Sequence, residues 1–359
     1  MTSFQSGNID FSRWAVFAHK DDTGFGRQAS DARAILGIGQ HLVIPSERLT
    51  NHSIDGITER WLPSDASEEL VRTLLSGLDG ILFFERHAWH PQILRIAREM
   101  GVATVCVPNW EWFYGHAKEW SYCDLFVCPS RFTEGIVRSY GFKNTCHLPW
   151  LIDLAKLPRR QVSGPARHFI HNAGLVDLDD RKGTRDTITA FCKTKRSDIR
   201  LTVRVQKEVQ LPPFDSRVEV LFGSLSDVSE LYLTGDICIQ PSKMEGIGFM
   251  VLEPACAGLP VITTNYPPMN EYIQQSELRC RTRWRSRRCH ASQWIKHAHL
   301  KIPNILDLSR RIEWAASTDL SSVSVFNRHW AEDTFNPRLL YQSWSHALAN
   351  LPYNSRDSD

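Results

Sequence analysis

The sequence predicts an α/β protein made of two doubly wound domains, each built on a parallel sheet, that face each other across a cleft. Its 359 residues suit two domains of about 150 residues better than one core. Short apolar runs alternate with longer amphipathic stretches, a pattern typical of strand–helix units on a parallel sheet. A polar, proline-bearing interval at 156–168 interrupts the alternation, which then restarts. We therefore expect a first domain over 1–155, a linker over 156–168 and a second domain over 165–330.

Individual elements follow from the same runs. In the first domain they predict strands at 14–19, 80–85, 102–107 and 124–129 and helices at 91–100 and 132–140. In the second domain they predict strands at 168–174, 200–206, 218–224, 236–242 and 259–265 and a helix at 183–195. No period is visible over 276–301, which predicts an irregular surface insertion. Apolar residues recur at helical spacing over 336–351, so we expect a terminal helix that packs near or back onto the first domain.

The composition is that of a soluble globular protein, with 42% hydrophobic and 23% charged residues. No apolar run approaches the roughly 20 residues that span a bilayer, and the N-terminal residues do not resemble a signal peptide. We expect a cytoplasmic protein, with peripheral contact at the inner face of a membrane left open. The net charge of +2 argues against a nucleic-acid partner. The nine cysteines show no CxxC spacing and favour buried free thiols over disulfides or zinc ligands.

One short segment, 279–288, is far more basic than the rest of the chain. Six arginines surround Trp284 there. Such a run can contact anionic lipid or a phosphorylated acceptor, or it can be a solvated loop. The sequence leaves both interpretations open.

The passage that indicates chemistry covers residues 235–265, GDICIQPSKMEGIGFMVLEPACAGLPVITTN. It predicts a buried strand, a loop with Gly246 and Gly248, a helix capped by Gly258, and a further strand. This order puts a glycine-bearing loop and a helix N-terminus at the carboxyl edge of a parallel sheet. Backbone N–H groups and the helix dipole at such a place suit an anion such as a diphosphate.

Two glutamates flank this predicted anion site. Glu245 lies ahead of the helix and Glu253 about one turn inside it, so both can face one ligand. Carboxylates accept hydrogen bonds from sugar and ribose hydroxyls, and a nucleotide-sugar carries hydroxyls at both ends with phosphates between them. In the alternative interpretation, Glu245 is only a charge at a helix N-terminus and Glu253 is a surface residue.

The segment PSKMEGIGFMVLEPACAGLPVI resembles the E-x7-E segment of retaining glycosyltransferases of group 1, also called family 4. The resemblance implies a GT-B fold of two Rossmann-like domains and transfer from a UDP- or GDP-sugar to an acceptor hydroxyl, with retention. It implies that Glu245 binds the transferred sugar and Glu253 the ribose. The expected donor-binding positions around them are Gly246, Gly248, Phe249, Met250 and Val251.

The resemblance extends upstream through NAGLVDLDDRKGTRDTITAF. The family's phosphate-binding lysine is matched by Lys182, which would neutralise the leaving diphosphate. Where the family commonly has an arginine after the glycine that ends the strand, Leu175 follows Gly174. Arg181 is the candidate substitute, with a solvated arginine as the alternative. Recognition of the nucleotide base is expected near Gly223.

The first domain is predicted to form the acceptor side. Gly24 and Gly26 predict a loop after the first strand, from which Arg27 could contact phosphate, although a plain strand-to-helix turn also explains them. Asn109 stands where many family members have a histidine, which leaves His87 as the candidate catalytic residue. Glu111 is the candidate for binding the acceptor. The expected acceptor is a saccharide, a lipid-linked sugar or a protein.

No acidic pair occupies a position where a metal would be required, because Asp21–Asp22 and Asp179–Asp180 are interpreted as loop charges. We therefore expect no metal and no cofactor beyond the donor substrate. Two other functions stay open. One is a sugar-nucleotide epimerase or phosphorylase on the same fold, and the other is a catalytically silent sugar-nucleotide-binding subunit.

Overall fold

The computed structural model describes residues 9–20, 24–45, 58–85, 90–177, 179–225, 227–292, 295–349 and 351. The chain divides into two compact units, the first comprising Met1–Asp153 and Phe335–Asp359 and the second Leu154–Thr334. Each unit contains a parallel sheet with helices connecting its strands. The predicted fold class of two Rossmann-like α/β domains is confirmed.

The first unit is built on a parallel sheet with the strand order β3-β2-β1-β4-β5-β6-β7 within the described residues. Its strands are β1 (Trp14–His19), β2 (Gln40–Ile44), β3 (Thr58–Trp61), β4 (Gly80–Phe84), β5 (Ala103–Val107), β6 (Leu125–Cys128) and β7 (Thr145–His147). Its helices are α1 (Gly24–Leu36), α2 (Glu68–Leu75), α3 (Ile93–Met100), α4 (Arg131–Ser139) and α10 (Pro337–Ala349).

The central strands of this sheet are buried along their whole length, as parallel strands covered on both faces require. Gly80 opens β4 directly beside Trp14, and a Cβ atom at Gly80 would lie 2.6 Å from the indole ring. The terminal helix α10 packs on this unit. The Tyr341 hydroxyl donates to the Ile9 carbonyl at 3.3 Å, and the Trp344 ring lies 6.2 Å from that of Trp150.

The second unit repeats the arrangement with the strand order β10-β9-β8-β11-β12-β13. Its strands are β8 (His168–Gly174), β9 (Arg200–Val205), β10 (Val218–Phe222), β11 (Ile237–Gln240), β12 (Val261–Thr264) and β13 (Arg279–Cys280). Its helices are α5 (Thr184–Cys192), α6 (Phe249–Ala257), α7 (Met269–Tyr272), α8 (Ile305–Ala315) and α9 (Ser321–Thr334).

The segment 156–168, interpreted above as a linker, is held against the second unit. The Arg160 guanidinium donates to the carbonyls of Tyr232 and Gly235 at 2.5 and 2.9 Å. The Val162 N–H donates to the Ser324 hydroxyl at 2.9 Å. These contacts tie the segment to the second unit's own helices and loops.

The prediction of an irregular insertion over 276–301 is wrong. This stretch contains the end strand β13 and most of an antiparallel hairpin formed by β14 (Thr282–Arg288) and β15 (His299–Pro303). Every residue of β14 after Thr282 is exposed, so no side-chain alternation marks the strand in the sequence. Pairing between the two backbones defines it instead. Among the described residues, no helix is both long enough and apolar enough to cross a membrane.

Candidate functional site

The second sheet reverses its strand order between β8 and β11, its two central strands. Strand β9 lies on the outer side of β8 and β12 on the outer side of β11. Loops that leave the carboxyl ends of such strands diverge to opposite faces of the sheet and leave a crevice, where doubly wound folds bind their ligands. Here the two loops are 175–183, which leads into α5, and 241–248, which leads into α6.

Helix α6 begins at this crevice with a glycine that its backbone requires. Gly248 has φ +84°, a left-handed conformation that other residues adopt only at a cost. The N–H groups of Val251 and Leu252 both bond to its carbonyl, so the regular helical hydrogen bonds begin there. The positive end of the helix dipole is therefore next to Glu245, whose Cβ would lie 3.4 Å from a Cβ atom at position 248.

Lys182 and Glu245 form an ion pair across the crevice. The Lys182 ammonium donates to both carboxylate oxygens of Glu245 at 2.7 Å. The Glu245 side chain is 5% exposed and that of Lys182 is 27% exposed. An ammonium has three donors, so this geometry leaves Lys182 capacity for one further acceptor on its accessible side. The structure thus joins two of the three predicted catalytic side chains.

A second lysine, Lys243, connects the same two loops through buried contacts. The Lys243 ammonium contacts Asp180 at 2.9 Å and Asp186 at 2.8 Å, and its side chain is 7% exposed. The Lys243 N–H also donates to the Arg181 carbonyl at 2.7 Å. The Asp180 carboxylate in turn accepts the N–H groups of Thr184 and Arg185 at the start of α5. The interpretation of Asp180 as a loop charge is wrong, because it is a buried partner of Lys243.

Asp179 is also buried, and it binds the hairpin. Its carboxylate accepts the His290 N–H at 2.6 Å and lies 3.3 Å from the Arg287 guanidinium. The Cys289 thiol donates to the same carboxylate at 3.3 Å. The pair Asp179–Asp180 therefore anchors this loop on two sides. Among the described residues, no group of three or more His, Cys, Asp or Glu side chains could hold a metal ion.

Glu253 is buried within α6, at 1% exposure, so it is not a surface residue. The Tyr232 hydroxyl donates to its carboxylate at 2.7 Å. Tyr232 itself is fully buried in a short 3-10 turn ahead of β11. This hydrogen bond orients the Glu253 carboxylate.

The remaining donor-side candidates lie along the same edge with unequal access. Gly174 is the last residue of β8 and has φ +62°. Gly223 directly follows β10 and has φ +111°. The Arg181 guanidinium donates to the Met244 carbonyl at 3.5 Å, which places it between the two loops. Phe249 and Met250 are partly exposed, whereas Gly246 and Val251 are buried, and the Val251 N–H is already bonded to the Gly248 carbonyl.

Two further groups beside the crevice loops carry no obvious sequence signal. The half-buried Tyr272 ring lies beside Gly248, and its buried hydroxyl has no hydrogen-bond partner within the described residues. Burial, then Glu271 and Glu245, raise the Tyr272 pKa. His171 is buried in β8, where Nδ1 donates to the Ile239 carbonyl at 2.7 Å and Nε2 accepts from Thr184 at 2.9 Å. Burial lowers its pKa to about 4.

Of the first unit's candidates, those just past β5 lie within the described residues. His87 lies outside the described residues, as do Asp21 and Asp22. Asn109 and Glu111 are buried just past the end of β5. The Asn109 side-chain oxygen has no hydrogen-bond partner among the residues that the structure describes. Next to β5, the end of β4 leads into Glu85, a buried residue with φ +66°.

The predicted glycine loop after β1 is a helix start instead. Gly24 and Gly26 both lie in the first turn of α1, where Gly26 is buried and Arg27 is partly exposed. The helical segment runs through the glycines because later residues of α1, among them Gln28, Ala29 and Ala32, are buried. A ligand at this place would therefore meet the N–H groups of the first turn of a helix, which have no partner within the helix, rather than a glycine loop.

The family model for glycosyl transferases group 1 matches residues 214–286. This range includes Glu245, Glu253, α6 and most of β14, and it ends before β15. It does not include Lys182. No curated protein sequence shows significant similarity to the chain.

Several solved structures share the fold. The pneumococcal O-GlcNAc transferase GtfA, in complex with UDP and GlcNAc, is 13% identical with a TM-score of 0.51, over 81% of this chain and 60% of GtfA. WaaG, a glycosyltransferase involved in lipopolysaccharide biosynthesis, is 15% identical with a TM-score of 0.57, over 94% and 100% of the two chains. Sucrose-phosphate synthase from Thermosynechococcus elongatus is 12% identical with a TM-score of 0.61, over 93% and 97%.

These similarities show the fold, because identities of this size carry no residue-level information. The chain spans 58 to 60% of the length of the first structures that it matches, those of TarM and GtfA. Its two Rossmann-like units are those of the GT-B class, as predicted. Residues 214–286 are thus similar to group 1 glycosyl transferases, and the chain shares its fold with solved glycosyltransferases.

Proposed function

We propose that this chain transfers a sugar from a nucleotide-diphosphate sugar to an acceptor hydroxyl, in the synthesis of a glycan, a polysaccharide or another glycoconjugate. The observation that carries the proposal is the Lys182–Glu245 pair, which lies beside the N-terminus of α6 at the crevice between β8 and β11. A cation, a carboxylate and a helix dipole converge there, and a nucleotide-sugar has groups that complement all three.

Lys182 is the proposed contact for the leaving diphosphate. Breaking the bond between the anomeric carbon and the diphosphate oxygen adds negative charge to the leaving group, and a nearby cation stabilises that charge. The helix dipole acts in the same direction. Because Glu245 holds the ammonium at 2.7 Å through both oxygens, the lysine is positioned before the donor arrives.

Glu245 is the proposed contact for the transferred sugar, and Glu253 for the ribose. Both carboxylates are nearly buried, and a buried carboxylate is stabilised by hydrogen-bond donors such as sugar hydroxyls. Tyr232 supplies one such donor to Glu253 and fixes its orientation. Gly246, Gly248, Phe249, Met250 and Val251 would approach the donor mainly through the backbone, with Gly174, Arg181 and Gly223 along the rest of the edge.

A UDP- or GDP-sugar is the proposed donor, and GtfA, which shares the fold, was solved with UDP and GlcNAc. Retention of configuration is proposed from the resemblance to the E-x7-E segment of family 4. Independence of metal is proposed because the sequence has no acidic pair where a metal would be required. The acceptor side is proposed in the first unit, around Asn109 and Glu111. Arg27, in the first turn of α1, is a proposed phosphate contact, and His87 is the proposed catalytic residue.

The test is nucleotide release by the purified protein from a panel of UDP-, GDP- and ADP-sugars, with and without EDTA. We expect release from one donor that EDTA does not abolish. Lys182→Met and Glu245→Gln should each lower this release at least about a hundredfold, the size of effect found when a group that stabilises transition-state charge is removed. Lys193→Met is the matched control, because Lys193 is exposed at the opposite end of α5.

Product analysis separates the proposal from its alternatives. A silent binding subunit would retain a nucleotide-sugar without consuming it, and an epimerase would return an isomeric nucleotide-sugar without releasing nucleotide. A phosphorylase would release sugar phosphate only when inorganic phosphate is supplied. Release that is unchanged in both Lys182→Met and Glu245→Gln would contradict the proposed site even if a donor were consumed.

A further inference from the structure

The hairpin β14–β15 concentrates the positive charge of this protein. Residues 279–303 contain eight of the 42 Lys and Arg residues and none of the 40 acidic residues. With +2 overall and +8 in this segment, the remainder of the chain is formally −6. An anionic surface would therefore attract the hairpin and repel the rest, which favours one orientation of the molecule.

The hairpin presents an indole together with these arginines. Between Thr282 and Ser286 the pairing with β15 is irregular, because three residues of β14 lie opposite a single residue, Ile302. Such a bulge re-aims side chains away from the regular pleat. Trp284, at its centre, is 87% exposed, and the Arg285 guanidinium lies 5.3 Å from its ring centroid.

Buried residues anchor the hairpin to the second unit. Leu300, Ala298 and Cys289 are fully buried, so β15 and the end of β14 are held while the outer face of β14 stays exposed. An exposed indole between arginines, on an anchored hairpin, matches the chemistry of a bilayer interface, where Trp lies at the headgroup level and basic residues attract acidic lipids. Nucleic-acid grooves line up several aromatic rings along a basic track, whereas β14 carries one.

Both strands of the hairpin are attached to the loops of the crevice. Arg287 and His290 bind Asp179, three residues before Lys182. From β15, the Lys301 N–H donates to the Lys243 carbonyl at 2.9 Å, two residues before Glu245. A surface that holds the hairpin would therefore also hold the edge of the second unit that carries Lys182 and Glu245.

We propose that the outer face of β14 docks this protein onto a membrane rich in anionic phospholipid, with Trp284 at the interface and Arg283, Arg285 and Arg288 at the headgroups. The purpose of such docking, to bring the donor site to an acceptor at the membrane, rests on the proposed function. The binding itself needs neither donor nor turnover, so the two proposals can fail separately.

The experiment is flotation of the full chain, without donor, on vesicles of phosphatidylcholine alone and on vesicles in which half of the lipid is phosphatidylglycerol. We expect binding to the second kind only, weakening as salt is added. Arg283→Gln with Arg285→Gln should weaken it by about thirtyfold, since a basic residue near an anionic leaflet contributes about 1 kcal/mol, or about fivefold. Brominated lipid should quench the tryptophan fluorescence of the wild type more than that of Trp284→Phe.

The matched control is Arg338→Gln with Leu339→Ala, which removes an exposed arginine and an exposed apolar residue from α10. It should bind vesicles as the wild type does. Equal binding to both kinds of vesicle, or undiminished binding by the β14 variants, would overturn the proposal. So would binding to a labelled single-stranded oligonucleotide but not to vesicles, since that would identify a nucleic-acid surface. Unchanged melting temperatures would show that the variants are folded.

Discussion

Replacing each lysine of the candidate site by methionine should have different effects. Lys243→Met should mainly lower the free energy of unfolding, and Lys182→Met should mainly lower nucleotide release. Lys243 is 7% exposed and lies between two carboxylates, Asp180 and Asp186. Lys182 is 27% exposed and binds one carboxylate, Glu245. Both substitutions keep a long apolar side chain and remove a charge, so the comparison isolates the role of each ammonium.

The structure indicates the magnitude of the first effect. Lys243→Met leaves the buried carboxylate of Asp180 and the partly exposed carboxylate of Asp186 without their common cation, and removing one partner of a buried ion pair costs about 3–5 kcal/mol. That is a large share of the roughly 5–15 kcal/mol that stabilises a domain. Lys182→Met removes a partly solvated ammonium, for which we expect about 1–2 kcal/mol, together with the hundredfold loss of nucleotide release.

Urea unfolding followed by tryptophan fluorescence measures the free energy of unfolding, and the nucleotide-release assay measures the activity. The second unit should unfold at lower urea in Lys243→Met, and Asp186→Asn in the same chain should recover part of the loss by removing one of the stranded charges. If Lys243→Met unfolds within about 1 kcal/mol of the wild type, the buried charge cluster does not stabilise these loops and our reasoning fails.

Three further outcomes follow from the same unit. Gly183→Ala should destabilise it by about 1–3 kcal/mol and lower activity, because φ is +71° and the new Cβ would lie 2.6 Å from the Pro241 carbonyl; urea unfolding and nucleotide release check both effects. Tyr232→Phe should raise the KM for donor more than it lowers kcat, since it frees Glu253 without touching the Lys182–Glu245 pair; equal loss in both would contradict this. His171, whose pKa burial lowers from 6.5 to about 4, stays neutral in the fold while the unfolded chain takes up a proton. Stability should therefore fall by about 1.4 kcal/mol per pH unit as the pH drops from 6.5 towards 4, and His171→Gln should flatten that slope in unfolding measured across the range.

Much of the second unit could be predicted because its strands are apolar and short and its turns carry glycines. The runs at 168–174 and 236–242 became β8 and β11, and the glycine at 248 marked the start of α6. In the first unit β2, β3 and β7 were not predicted, although β2 contains a short buried apolar run at 42–44. Their side chains are partly or wholly exposed at the sheet edge in β3 and β7, so the apolar run that marks a central strand is missing.

The sequence by itself determined the fold class and the residue types of the candidate site, because periodicity and glycine positions depend on local backbone geometry. Only the tertiary structure decided which of those residues meet. Lys182 and Glu245 are 63 positions apart, and they pair because parallel strands β8 and β11 are neighbours in the sheet. The same is true of Lys243 with Asp180, of Tyr232 with Glu253 and of the hairpin with Asp179. Contacts between loops distant in the chain depend on strand order, which no local pattern of residues encodes.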